Sequence, residues 1–170
     1  TEPFIRDKFP ERISFGWIGL QVDHRIFCVQ ILRLCFEYTR FGGKIEKQET
    51  VFLHDPDKKV PFRIVHEGTR QRFLTGSDFD TESFQIAGGS IWIGDEFGPW
   101  LLHVAPSGQL LAPPAGVPGF VSSDRPGLPP PEAGAPNAAT VRRSRGFEAL
   151  ALAPDGLHLL AMLEGPTTQD

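Results

Sequence analysis

GSDFDTESFQIAGGSIWIGDEFGPWLLH, residues Gly76 to His103, decides how the chain folds. Phe84-Gln85-Ile86 and Ile91-Trp92-Ile93 are short β-branched or aromatic runs with Gly88-Gly89 between them. Glycine takes a positive φ without steric cost, so the pattern predicts two antiparallel strands joined by a tight turn. Acids frame the pair: Asp78, Asp80 and Glu82 precede the first strand, and Asp95-Glu96 follows the second. A hairpin folds its outer ends together, which brings Glu82 to the same sheet edge as Asp95 and Glu96. Clustered carboxylates repel, and they persist where a cation neutralises them or one stays protonated. The plainer alternative is that Asp78 and Asp80 shape a turn with their side-chain oxygens and Glu96 is solvated.

Outward from this hairpin, Trp100 to Val104, the turn Ala105-Pro106-Ser107-Gly108 and Gln109 to Leu111 predict a second hairpin, giving a four-stranded meander. Upstream, the alternation of Ile13 to Trp17 predicts a strand near 13 to 22. Ile26 to Tyr38 fits a helical face through Phe27, Ile31, Leu34, Cys35 and Tyr38, or a buried strand. The hairpin spacing elsewhere favours the strand. Glu49 to Leu53 is a further strand, closed by the turn His54-Asp55-Pro56-Asp57-Lys58-Lys59 and followed by an extended Val60 to Glu67. From Ala112 to Thr140 the composition turns to proline, glycine and alanine around Pro129-Pro130-Pro131, which reads as a loop or insert.

After the insert the pattern returns. Glu148 to Leu152, the turn Ala153-Pro154-Asp155-Gly156, and Leu157 to Leu163 ending in Glu164-Gly165-Pro166 mirror Glu82, the first hairpin, and Glu96-Phe97-Gly98-Pro99. Repeated antiparallel meanders are the material of propellers, whose blades take about 40 to 50 residues and converge on a central channel. The expected fold is therefore all-β, a single domain of β-propeller-like meanders. Successive blades would deliver carboxylates to one mouth of the channel, where hard oxygen ligands suit Ca²⁺. The length holds about three blades and a ring closes with at least four, so an incomplete propeller and a partial chain are expected. Unfinished blades leave sheet edges open to self-association.

A net charge of −4 and a pI near 5.7 leave no basic face for nucleic acid. No run approaches the roughly 18 apolar residues of a membrane span, since Gln30, Arg33 and Glu37 interrupt Ile26 to Tyr38. The start, Thr1-Glu2-Pro3, carries no signal-peptide pattern. Cys28 and Cys35 are too far apart for a disulfide on a helix, at about 10 Å. In a hairpin they could meet, so they do not fix the compartment; the plainer expectation is two buried free thiols, and no metal motif is present.

Five segments resemble the phytase-like domain family labelled "esterase-like activity of phytase". They are Phe52 to Phe62, Leu74 to Phe84, Trp92-Ile93-Gly94-Asp95-Glu96-Phe97-Gly98-Pro99, Ser144-Arg145-Gly146-Phe147-Glu148 and Leu163-Glu164-Gly165-Pro166, spanning roughly Val51 to Pro166. The resemblance implies an exported propeller-type domain whose Asp and Glu residues support phosphoester or phosphodiester hydrolysis. The acids it implicates here are Asp78, Asp80, Glu82, Asp95, Glu96, Glu148 and Glu164, with Arg145 as the cation. Thr1 to Gln48 departs from the family pattern.

On this reading Asp78, Asp80, Glu82, Asp95, Glu96 and Glu164 supply metal ligands, while Glu82, Glu96, Glu148 and Arg145 carry catalysis on a small phosphorylated or ester substrate. A bound Ca²⁺ would stabilise transition-state charge, a free carboxylate would activate water, and Arg145 would grip phosphate. Arg145 has an equal alternative in a salt bridge to Glu148 or Glu96. Trp92 and Trp100 read as core. No Gly-x-Ser-x-Gly elbow and no glycine-rich phosphate loop with lysine occurs. The competing expectation is a non-catalytic segment whose acids hold a structural ion while its open face takes a partner.

Overall fold

The computed structural model describes residues 12–20, 28–39, 42–127 and 139–168. The expected strand positions 21–22 and 26–27, and Pro129-Pro130-Pro131, lie outside them. The described residues form strands and turns without a helix, and the fold is all-β. Consequently no helix among them is long and apolar enough to cross a membrane. Every sheet is antiparallel: β1 (Arg12–Leu20), β2 (Val29–Thr39) and β3 (Gly42–Phe52) make the first. The second runs β4 (Thr81–Ala87), β5 (Ser90–Asp95), β6 (Trp100–Val104) and β7 (Ala115–Gly116). The third pairs β8 (Phe147–Leu152) with β9 (Leu159–Leu163). Among the described residues these sheets do not close into a ring.

The central hairpin forms as its residues dictate. Ala87 faces Ser90 across Gly88 and Gly89, whose φ values of 58° and 76° are the left-handed pair of a two-residue turn that matches strand twist. Ile91 and Ile93 alternate inward on β5, and Trp100, Leu102 and Val104 on β6. They meet Val29, Ile31, Leu53, Val60, Ile64, Leu74, Phe79 and Leu110 in one core. Phe62 stacks on Trp100 at 5.0 Å between ring centroids, and Phe79 meets Trp100 edge-on at 5.6 Å. Trp100 is thus core as expected, whereas Trp92 is half-buried and lies flat on His103 at 4.1 Å.

The segment after β3 ties the first sheet to this core. The Leu53 amide donates to Val29, the Leu74 amide to Leu53, and the Leu110 amide to His54. Asp55, fully buried, accepts from the amides of Lys59 and Val60 and pairs with the equally buried Arg72, whose Nη2 lies 3.2 Å from Oδ2. Both charges are satisfied, which is the condition for burying them.

Two expectations are corrected. Val60 to Glu67 is not extended: the Val60 amide donates to Asp55, the Ile64 amide to the Glu67 carboxylate and the Val65 amide to Asp78, and the Glu67 amide donates to the Ile64 carbonyl. Gln109 to Leu111 is not the fourth strand. Gln109 and Leu110 make single bridges to His54 and Val104, and Ala115–Gly116 lies inside the expected insert and completes the sheet. Of the two arrangements left open for Cys28 and Cys35, the hairpin does not occur: they lie on one extended run, seven residues or about 23 Å apart, too far for a disulfide to each other.

Candidate carboxylate site

The two look-alike hairpins share an irregularity that aims their acids. In the first, Thr81 faces Asp95 and Ser83 faces Gly94, so Glu82 is an extra residue opposite no partner. In the second, Phe147 faces Leu163 and Ala149 faces Met162, leaving Glu148 as the extra. A β-bulge turns its side chain out of the ladder and sharpens the local twist, and bulges concentrate beside sites. Past each bulge one amide closes the hairpin again: Glu96 donates to Asp80 at 2.8 Å, and Glu164 to Gly146 at 3.0 Å. Glu82 corresponds to Glu148, and Glu96 to Glu164.

β8 then lies across β4 and β5. Ser83 Oγ donates to the Phe147 carbonyl at 3.4 Å, and the Leu152 amide to Gln85 Oε1 at 3.3 Å. Gly146 presses on the Glu96 backbone, where a Cβ would stand 2.3 Å from Glu96 Cα. Only glycine permits that approach. The acid-bearing ends of both hairpins are thereby superposed.

Carboxylate oxygens of Glu96, Glu148 and Glu164 lie within 4.8 Å of one another. Glu96 forms the floor at 6% exposure, while Glu82, Glu148 and Glu164 stand at an exposed rim. No donor among the described residues reaches the Glu96 carboxylate. Burial, then Asp80, Glu82, Glu164 and Glu148, push it up to about 7. Burial and the charges of Asp80, Glu148 and Glu164 raise Glu82 as well. Five of the seven acids named from the sequence therefore act on one another: Asp80, Glu82, Glu96, Glu148 and Glu164.

The other two serve elsewhere. Asp78 is not brought to the cluster. Its Oδ1 accepts from the Val65 amide at 2.9 Å and its Oδ2 from the Thr75 amide and hydroxyl at 2.8 Å, so it pins a loop, the turn-shaping alternative. Asp95 lies beneath the cluster, fully buried, accepting from the Asp80 and Gly98 amides at 2.8 Å each. Burial raises it to about 7 against those amides. It positions Asp80 rather than facing the mouth. Arg145 pairs with Glu164, not with Glu148 or Glu96. The bulges were not legible from residue types, since Glu82 and Glu148 read as ordinary strand-leading acids.

Glu96, a residue 6% exposed, and the four carboxylates about it form a hard-oxygen donor set, which suits a divalent cation such as Ca²⁺. A family model described as "Phytase-like: Esterase-like activity of phytase" matches residues 29–170. No curated protein and no solved structure matches the chain.

Proposed function

The chain belongs to the phytase-like family described as "esterase-like activity of phytase", and from that premise we propose that it is a Ca²⁺-dependent hydrolase of phosphoester or phosphodiester substrates. The observation that carries this reading is the convergence of the Glu96, Glu148 and Glu164 carboxylate oxygens within 4.8 Å, with Glu96 on a residue only 6% exposed. Glu96, Glu148 and Glu164 would hold the ion, with Asp80 and Glu82 beside them. The bound ion supplies charge neutralisation at phosphoryl oxygens.

The chain's own groups do the rest. Glu82, exposed on its bulge and raised by its neighbours, takes a proton from water at the mouth. Arg145, half exposed beside Glu164, offers two parallel N–H donors to a phosphoryl group. Asp95 holds the Asp80 amide and the Gly98 turn in place, keeping the floor rigid.

Hydrolysis of p-nitrophenyl phosphate and bis(p-nitrophenyl) phosphate tests this. Turnover is expected to vanish with chelator, return with Ca²⁺, and fall about 100-fold or more in Glu82→Gln with the fold intact. Turnover indifferent to chelation would refute the proposal. A second reading is favoured by the cluster's spanning two hairpins, because an ion there would join them without chemistry. Stabilisation by Ca²⁺ with no phosphoester turnover selects it.

A further inference from the structure

The cluster has its own cation at its edge. Arg145 Nη1 donates to Glu164 Oε1, and Glu164 is one of the three carboxylates whose oxygens converge. A guanidinium and a divalent cation drawn to the same carboxylate repel each other. We infer that Arg145 is a latch displaced by the metal: it pairs with Glu164 while the carboxylates hold no ion, and is released toward an anionic substrate when they do.

This inference rests on the cation reading above. Glu96 supports it independently of the acid count, since Arg145 pairs with one rim acid, Glu164, and makes no hydrogen bond to the Glu96 carboxylate on the floor, a residue 6% exposed. The latch is packed along its stem and exposed at its head. Gly146 is pressed against the Glu96 backbone, and a Cβ at Gly165 would stand 3.3 Å from Arg145 Cδ, so the Arg145 stem lies along the backbone at Gly165. The guanidinium end belongs to a side chain that is 48% exposed. Arg143, two residues earlier, is committed to Asp124 instead.

Ca²⁺ titration calorimetry on the wild-type chain, Arg145→Gln, Glu164→Gln and the double variant tests the latch. Arg145→Gln is expected to tighten Ca²⁺ binding about two- to fivefold, the range of an exposed ion pair. The same change made in Glu164→Gln is expected to do nothing, because the shared oxygen is gone. An unchanged or weaker Kd in Arg145→Gln overturns the latch while leaving the cation site standing. Tightening that persists without Glu164 also overturns it, reducing Arg145 to a distant charge. Absence of Ca²⁺ heat in all four proteins would remove the cation reading and the latch with it.

Discussion

Asp95 and Glu96 are adjacent acids with opposite duties, and hydrogen bonding divides them. Both Asp95 oxygens are taken by amides and burial raises it to about 7 against them, whereas Glu96 accepts no such amides and is held up to about 7 by burial and four neighbouring acids. The sign for stability follows. A carboxyl whose folded pKa exceeds its unfolded value near 4.5 keeps a proton that the unfolded chain has lost. Metal-free stability is therefore full below pH 4.5 and declines as pH rises to about 7, by on the order of 3 kcal/mol for this group at most. Thermal melts in chelator should show that decline. Glu96→Gln should make it shallower, the remainder belonging to Asp95, and raise the melting temperature at pH 8 while changing little at pH 4.5. Asp78 gives the contrasting case: Asp78→Ala should cost about 1–3 kcal/mol in urea denaturation by stranding its donors, with Ca²⁺ affinity unchanged. The Gly-Asp-Glu-Phe-Gly-Pro string named both acids of the pair. Their division of labour depended on which amides fold back onto Asp95, and residue type does not encode that.

Hairpins were the most legible elements, because Gly88-Gly89 and Asp155-Gly156 fix turns locally and the apolar alternation beside them fixes the inward face. What escaped was set by distant partners. Ala115–Gly116 pairs with Trp100 and Leu101 although nothing in its own sequence favours a strand. Val60 to Glu67 bends because its amides are claimed by three carboxylates, Asp55, Glu67 and Asp78, and Asp55 in turn answers to Arg72, a residue with no visible role in the sequence. Two glycines separate local from distant demands. Gly88 has a φ of 58° and open space about it, so Gly88→Ala should cost only the left-handed penalty of about 1–2 kcal/mol. Gly146→Ala puts a methyl group into the Glu96 backbone, and no rotamer relieves that clash. It should cost more than Gly88→Ala in urea denaturation and abolish Ca²⁺ stabilisation, since the hairpins must part.

At the scale of the molecule, an all-β chain of hairpins was readable from spacing alone, but ring closure was not, because closure depends on contacts between sheets. The β8–β9 hairpin covers β4 and β5 with one side and leaves Leu157, Leu160 and Met162 exposed at 83%, 60% and 64%. Apolar groups so placed favour association. Sedimentation velocity should show concentration-dependent oligomers that Leu160→Lys with Met162→Lys disperses. The cluster itself straddles the seam between these layers, with Glu96 on one side and Glu148 and Glu164 on the other. An ion seated there would act as a rivet. Stripped of it, the terminal hairpin should melt ahead of the body in two calorimetric steps, and with Ca²⁺ the steps should merge into one, so that metal supply sets how many cooperative units the protein has.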